Sequence, residues 1–382
     1  MQLVKVIRLP RSKVHLGAPL LWNVRDEGGK LLLSRGHMLV DERQLNELLE
    51  RGAFVDVEEV RASAEEAQPP EKKVVPPPNL FGAWDKEAQA LRELCQHPDV
   101  HHDFLNQLKS FAERLLTLMD ANTDVSLYRT VRQENQPLFY YGYNHAIHTA
   151  VLGVLLTRHL GWSAQRTMSM LLAALTMNLP ILDLQGQMAA QDVPIKDRQK
   201  AEIQAHPEKA VALLTACGVS DSEWLKAIME HHEHGDGSGY PSGRTTLSEM
   251  AIALRVTDVF MAKISPRVVR DALTPQEAIK QLYREDQGGP ISTAVIKQFG
   301  IYPPGDFVKL ATGELGIVVQ RTANVKAPIV AVITDTAGHP VAKTVRHDSG
   351  QPGFAIVGNA VDKAMLKRLP PERLYGFSVV PV

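Results

Sequence analysis

Cysteine is scarce in this chain, and a long apolar run is missing. The two cysteines, Cys95 and Cys217, can build neither a disulfide framework nor a cysteine zinc site, which fits a reducing compartment. The longest apolar stretch, Ala146 to Leu156, contains His148 and is too short to span a bilayer. The first residues break their apolar positions with charge and lack a signal-peptide core. We therefore expect a cytoplasmic protein without a membrane span.

An excess of charge of either sign is also missing. The chain has 42 Lys and Arg against 43 Asp and Glu, and its net charge is −1. Because there is no positive surplus to attract a polyanion, we expect no nucleic-acid partner. The hydrophobic share of 44% is typical of a globular chain and not of a disordered one.

Proline-rich sequence divides the N-terminal part of the chain from the rest. Residues 61–80 contain a Pro-Pro and a Pro-Pro-Pro run among charged residues, which predicts a linker. In residues 1–60, the apolar run Leu31 to Leu33 follows a glycine turn, and an amphipathic stretch begins at Asp41. This segment is predicted to be a small α+β module.

Helical signals dominate residues 81–300. Apolar residues recur there at the spacing of one helix face: Phe104, Leu105, Leu108, Phe111, Leu115, Leu116 and Met119. Ser220 with Glu223, and Thr274 with Glu277, look like capping boxes, and Pro275 stands at the first helical position of the second. We predict a mainly α protein whose centre is a bundle of helices.

The pattern changes in residues 301–382. Short β-branched runs at 307–310, 316–319 and 329–333 are separated by glycine or asparagine. These runs predict a small β-rich C-terminal domain.

The string HHEHGDGSGYP at 231–241 is the most unusual part of the sequence. Adjacent histidines at a helix end point roughly 100° apart, so His231 and His232 address one metal centre only if other ligands close around them. The glycines and Pro241 that follow cannot sustain a helix and force a loop. From spacing alone, a metal site and a solvated helix end are equally compatible with the string.

The string resembles the signature of the HD-GYP family, and the resemblance extends over roughly residues 125 to 300. Five positions fall where that family carries metal ligands: His145, His206, His231, His232 and Asp258. Arg267 and Arg270 fall where it carries paired arginines. The resemblance implies an HD-type helical bundle, bacterial signalling, and hydrolysis of cyclic di-GMP by a centre of two or three iron or manganese ions.

The sequence departs from the family at the defining His-Asp pair. Met177 and Asn178 stand at that place, and Pro180 and Ile181 replace the Gly-Lys that follows in the family. The amide of Asn178 is neutral and does not bridge two hard cations as a carboxylate does. Ile181 supplies no charge to a phosphate, and Tyr141 stands where some members carry an extra glutamate ligand. We therefore expect catalysis to be lost at Met177, Asn178 and Ile181.

Two alternatives remain for the five surviving ligand positions. They hold one residual divalent ion, iron, manganese or zinc, or they persist as a buried polar cluster without metal. His148, one turn after His145, is a substitute ligand or an ordinary core histidine. His347 and Asp348 spell the family's pair but lie in the β-rich tail, so they are not expected to belong to the site.

The function expected from this combination is signalling without catalysis, through binding of cyclic di-GMP or of a partner such as a GGDEF-type diguanylate cyclase. The expected interaction loop comprises Asp236, Gly237, Gly239, Tyr240 and Pro241, with Tyr240 exposed as a contact point. The paired arginines either clamp phosphates or form a solvated helix surface. The alternatives are a surviving metal-dependent phosphohydrolase with an altered site and a structural adaptor that binds no nucleotide.

Overall fold

The computed structural model describes residues 5–60, 79–96, 98, 103–133, 137–341, 343–360 and 370–377. Contacts divide the chain into two compact units, Met1–Pro76 and Pro77–Val382. Of the predicted linker at 61–80, only residues 79 and 80 lie within the described part of the chain.

The N-terminal unit is a small antiparallel sheet with one helix. Its elements are β1 (Val6–Arg8), β2 (Val24–Arg25), β3 (Leu31–Leu33), α1 (Glu42–Glu50) and β4 (Phe54–Asp56), with strand order β1-β4-β2-β3. The side chain of Asp41 caps α1 by accepting from the Gln44 amide. Leu45 and Leu48 of α1 join the buried core of this unit. The predicted α+β module is confirmed.

The second unit begins with a series of helices. They are α2 (Leu80–Gln96), α3 (Phe104–Ala121), α4 (Thr123–Val131), α5 (Tyr141–His159), α6 (Ala164–Thr176), α7 (Leu182–Ala190), α8 (Asp197–Ala216), α9 (Ser222–Glu230), α10 (Glu249–Ile264), α11 (Pro275–Asp286) and α12 (Pro290–Phe299). Helix α3 buries the face predicted from its apolar spacing. Helix α5 is buried from Tyr141 to Thr157, so it is the central helix of the bundle.

One of the two predicted helix starts needs a correction. Thr274 and Glu277 form the predicted capping box at the start of α11. At α9, however, the N-cap is Asp221 and not Ser220, and the Asp221 carboxylate accepts from the amides of Glu223 and Trp224. A carboxylate also interacts favourably with the positive end of the helix dipole, which a serine hydroxyl does only weakly.

The C-terminal part is β-rich, as predicted. Strands β5 (Phe307–Leu310), β6 (Leu315–Gln320), β7 (Ile329–Val332), β8 (Arg346–Asp348) and β9 (Ile356–Asn359) form an antiparallel sheet in the order β8-β7-β6-β5-β9, and α13 (Pro371–Tyr375) follows. Core residues of this sheet belong to the same buried cluster as those of the helices. One set of sheet residues therefore extends the helical core, while Val308, Leu310, Val318, Val330 and Val332 form a separate small core.

One stretch of the chain, Ala164–Ala190, is long and apolar enough to cross a membrane. It contains α6 and α7, and 78% of its most apolar window is buried, as expected for a core segment. Beyond this weak candidate, no membrane-crossing helix is found in the part of the chain that the structure describes.

Two glycines let α5 approach α7 closely. A Cβ atom at Gly142 would lie 2.3 Å from the carbonyl oxygen of Leu182, and one at Gly186 would lie 2.0 Å from that of Phe139. Neither backbone oxygen can move away as a flexible side chain could. The contact therefore fixes the first turns of α5, which carry His145.

We expect Gly142→Ala to lower the free energy of unfolding by about 2 kcal/mol, because the added methyl group forces the two backbones apart. The matched control is Gly82→Ala in α2, where the nearest atom to a Cβ is 3.6 Å away. That change should be neutral or stabilising by about 0.5–1 kcal/mol. Urea unfolding of the two variants measures the difference, and equal effects would contradict the close contact.

Candidate metal centre

His206 is held in a defined orientation by the backbone of its own helix. Its Nδ1 lies 2.5 Å from the carbonyl oxygen of Ile203. The next residue, Pro207, stands inside α8 and has no N–H to donate to that carbonyl, which is therefore free to accept from the imidazole. The protonated nitrogen of His206 is thus Nδ1, and Nε2 presents a lone pair.

His231 is oriented in the same way at the end of α9. Its Nδ1 lies 2.6 Å from the carbonyl oxygen of Ile228, which is in the last helical turn, where carbonyls lack an intrahelical partner. The Nε2 atoms of His206 and His231 then face each other at 3.2 Å. Two nitrogens that are each about 2.1 Å from one ion, at an angle near 100°, are about 3.2 Å apart.

His232 completes a group of three imidazoles. One ring nitrogen from each of His206, His231 and His232 lies within 4.8 Å of the other two. Burial lowers the pKa of His206 to about 3, with His231 as a further cause, and lowers that of His232 to about 2. Burial lowers the pKa of His231 as well. Neutral imidazoles are the form that binds metals.

His145 and Asp258 form a buried pair beside this group. Nε2 of His145 lies 2.7 Å from Oδ1 of Asp258. Burial on its own raises the pKa of Asp258, but the hydrogen bond with His145 and the electrostatic interaction with His145 and the neighbouring imidazoles hold that pKa below its usual value. Asp258 thus remains a carboxylate beside the imidazoles, and the structure groups three of the five predicted ligand positions and pairs the other two with each other.

The segment that differs from the family, residues 177–181, is mostly apolar and mostly buried. Met177 caps the C-terminal end of α6 and is 0% exposed, and Asn178 is 3% exposed. Pro180 lies in the 3₁₀ turn Leu179–Ile181, where Ile181 is buried too. This turn packs against α8, the helix that carries His206. No carboxylate therefore stands at the place where the family's bridging aspartate is expected.

The other two histidine motifs lie outside the cluster. His148 is fully buried, its pKa is lowered to about 3 by burial, and its Nδ1 has no hydrogen-bond partner. It does not belong to the group of ligand atoms formed by the three imidazoles. His347 lies in β8 and stacks on Phe354 in the β-rich part, as expected of a residue outside the site.

Arg267 connects to the centre through an aromatic ring. Its Nη2 donates to the hydroxyl of Tyr141 at 2.8 Å, and its guanidinium lies 4.9 Å from the centre of that ring. Tyr141 stacks in turn on His145, with ring centres 5.5 Å apart. Arg267 and Arg270 exchange backbone hydrogen bonds in a tight turn between α10 and α11. They therefore do not lie on a helix surface, which was one of the two expectations.

Two buried glutamates fix the loop after His232, and sequence reasoning gave them no role. Glu233, 1% exposed, accepts from the amides of Ser242 at 2.7 Å and Arg244 at 3.0 Å. Glu230, also 1% exposed, accepts from the amide of Ser248 at 3.0 Å. Two glutamates next to a predicted glycine-rich loop were the available signal, because backbone amides of such a loop need acceptors.

Tyr240 is half-buried, and the expectation that it would be exposed was wrong. Its ring stacks on His232 with centres 4.6 Å apart, and its amide donates to the His232 carbonyl at 3.2 Å. Gly239 allows this approach, because a Cβ there would lie 2.5 Å from the His232 carbonyl oxygen. Asp236 remains exposed, and hydrogen bonds from Ser238 lower its pKa.

Comparison with known proteins shows which proteins this chain resembles. Residues 132–288 match the model of the HD domain family, a range that contains every candidate ligand and both arginines. The cyclic di-GMP phosphodiesterase PA4108 of Pseudomonas aeruginosa is 26% identical over 185 residues, which are 47% of this chain and 45% of that protein. The chain thus matches about half the length of this curated relative. Among solved structures, Bd1817, an HDG"Y"P protein from Bdellovibrio bacteriovorus, aligns with a TM-score of 0.46 and 16% identity over 76% of this chain and 98% of that one.

Residues 132–288 are thus similar to HD domains, in line with the resemblance of the signature string to the HD-GYP family. HD domains are metal-dependent, and the three facing imidazoles fit one ion. The residues do not fit the family's centre of two or three ions, because the position of the bridging carboxylate is occupied by Asn178.

We expect Glu233→Gln to loosen the loop, because the new amide places a donor against the N–H of Ser242 or Arg244. An unsatisfied buried donor costs about 1–3 kcal/mol. Hydrogen exchange of the Ser242 and Arg244 amides should become faster. The matched control, Glu208→Gln on the exposed face of α8, should leave both amides protected. Unchanged exchange in Glu233→Gln would show that the glutamate does not hold the loop.

Proposed function

We propose that this chain is a cytoplasmic bacterial signalling protein whose HD-GYP domain binds cyclic di-GMP without hydrolysing it. The buried pair Met177 and Asn178 at the position of the catalytic pair is the observation that carries this proposal. The rest of the family framework is kept around that position, including the histidine cluster and the signature loop. A domain that keeps this framework but lacks the catalytic His-Asp pair is better suited to bind cyclic di-GMP than to hydrolyse it.

Hydrolysis of a phosphodiester demands more than this site offers. Metal ions bound by a working centre would supply an activated hydroxide and stabilise the charge of the leaving oxygen. The residues of this chain lack a bridging anion at Asn178 and a cation at Ile181, where the family has lysine. Each missing interaction removes several kcal/mol of transition-state stabilisation, about 3–4 kcal/mol for one well-placed donor.

Arg267 and Arg270 are available to bind a phosphate group. The Nε–H of Arg267 is buried and has no hydrogen-bond partner, although Nη2 is bound to Tyr141. A guanidinium with an unused donor is suited to a phosphate oxygen, which accepts charge-assisted hydrogen bonds. Arg270 lies exposed at the other end of the same turn and binds the carbonyl of Ala262 with one nitrogen.

The loop 236–241 offers a second way to signal, namely a contact with a protein such as a diguanylate cyclase. Asp236 and Ser238 are exposed at its tip, whereas Tyr240 is turned towards the centre. A partner would therefore meet the acidic tip first, and the recognition role of the loop stays a prediction. A protein that signals only through this loop would be the structural adaptor, which needs no nucleotide.

We expect the full chain to bind cyclic di-GMP in calorimetry and to release no linear dinucleotide in chromatography. Replacing Arg267 and Arg270 by alanine should weaken binding about tenfold or more, because each arginine loses a charge-assisted hydrogen bond of about 1.5–3 kcal/mol. The matched control is Arg284→Ala, an exposed arginine on α11, which should bind as the unchanged protein does.

Each contrary result identifies a different alternative. Linear product that disappears with a chelator would show a surviving phosphohydrolase. Absence of binding by the unchanged chain, or binding that is indifferent to both arginines, would favour the adaptor.

A further inference from the structure

The histidine cluster, formed by His206, His231 and His232, offers imidazole nitrogens with free lone pairs and few oxygen atoms. The Nδ1–H groups of His206 and His231 are engaged by the carbonyls of Ile203 and Ile228, so their Nε2 lone pairs face each other across 3.2 Å. Two lone pairs this close repel each other unless a cation or proton lies between them. His232 adds a third nitrogen to the same group.

Few oxygen atoms near the histidine cluster are available to bind a metal ion. Asp258 is the carboxylate next to the imidazoles, and one of its oxygens is already bound to His145. Glu230 and Glu233 are buried nearby in sequence, but their oxygens accept from loop amides. Asn178 is neutral. Among the described residues, the group therefore offers three imidazole nitrogens and at most one carboxylate.

We propose that this centre holds a single ion and selects zinc over manganese and iron, unlike the iron or manganese centre that the family resemblance implies. Manganese is suited to carboxylate, carbonyl and water oxygens, whereas imidazole suits both zinc and iron, and of these two the divalent zinc ion generally binds nitrogen sites more tightly. Three histidines with one further position are also a common zinc arrangement. The inference deepens the proposed function, because it rests on the loss of the bridging carboxylate that also removes hydrolysis.

The first experiment needs no variant. The full chain is stripped with a chelator, dialysed without oxygen against equal free concentrations of zinc, divalent iron and manganese, and analysed by mass spectrometry of the metals. We expect one ion per chain, with zinc in at least tenfold excess over either other metal. Two ions per chain, a majority of iron or manganese, or no bound metal would each overturn the inference.

A pair of histidine variants then locates the ion. His206→Ala should reduce bound zinc at least tenfold, because it removes one of the three facing nitrogens. His234→Ala is the control, since His234 is exposed, lies three residues after His231 beyond the end of α9, and is outside the group. Circular dichroism of both variants verifies folding. Equal zinc in two folded variants would contradict the assignment.

Restoring a carboxylate at position 178 should shift the metal preference of the site from zinc towards manganese. Met177→His with Asn178→Asp is expected to raise the ratio of manganese to zinc at least tenfold in the same competition. Met177→His alone, which adds a nitrogen and no anion, should not raise this ratio. Manganese electron paramagnetic resonance gives an independent reading, and an unchanged ratio in the double variant would show that the carboxylate does not set the preference.

The two proposals fail separately. Hydrolysis of cyclic di-GMP by a chain with one zinc ion would remove the proposed function and leave the zinc preference standing. Two manganese ions in a chain that binds cyclic di-GMP without hydrolysing it would remove the zinc preference and leave the proposed function standing.

Discussion

Two backbone carbonyls without helical partners determine the chemistry of the centre. Ile203 lacks a partner because Pro207 has no N–H, and Ile228 lacks one because its helix ends. Each therefore accepts from a histidine Nδ1, which fixes both the tautomer and the direction of the imidazole. The facing nitrogens and their capacity for a metal depend on these two bonds, whereas burial keeps both imidazoles neutral.

Local patterns in the sequence predicted local structure well. The apolar face of residues 104–119 and the cap at Thr274 are set within a few helical turns, and both have the predicted form. The ligand positions came from resemblance to a family, since His145 and Asp258 are 113 residues apart and no local rule pairs them. The structure supplies the physical reason for their pairing, because α5 and α10 pack side by side.

The errors share a cause, which is competition between groups that all satisfy the same local rule. Ser220 and Asp221 are both acceptable caps, and the charged one is used. Tyr240 lies in a polar, glycine-rich loop, which suggests exposure, but the small Gly239 lets its ring reach His232. Glu230 and Glu233 look like ordinary charged residues of a helix end until the loop folds back on them.

The stack between Tyr240 and His232 also places a loop with exposed residues in direct contact with the histidine cluster. The phenol ring that packs on this imidazole belongs to the same short loop as the exposed Asp236. One pair of stacked rings therefore connects the histidine cluster with the loop that carries Asp236. A ligand bound to His232 would thus lie one side chain away from a loop that reaches the solvent.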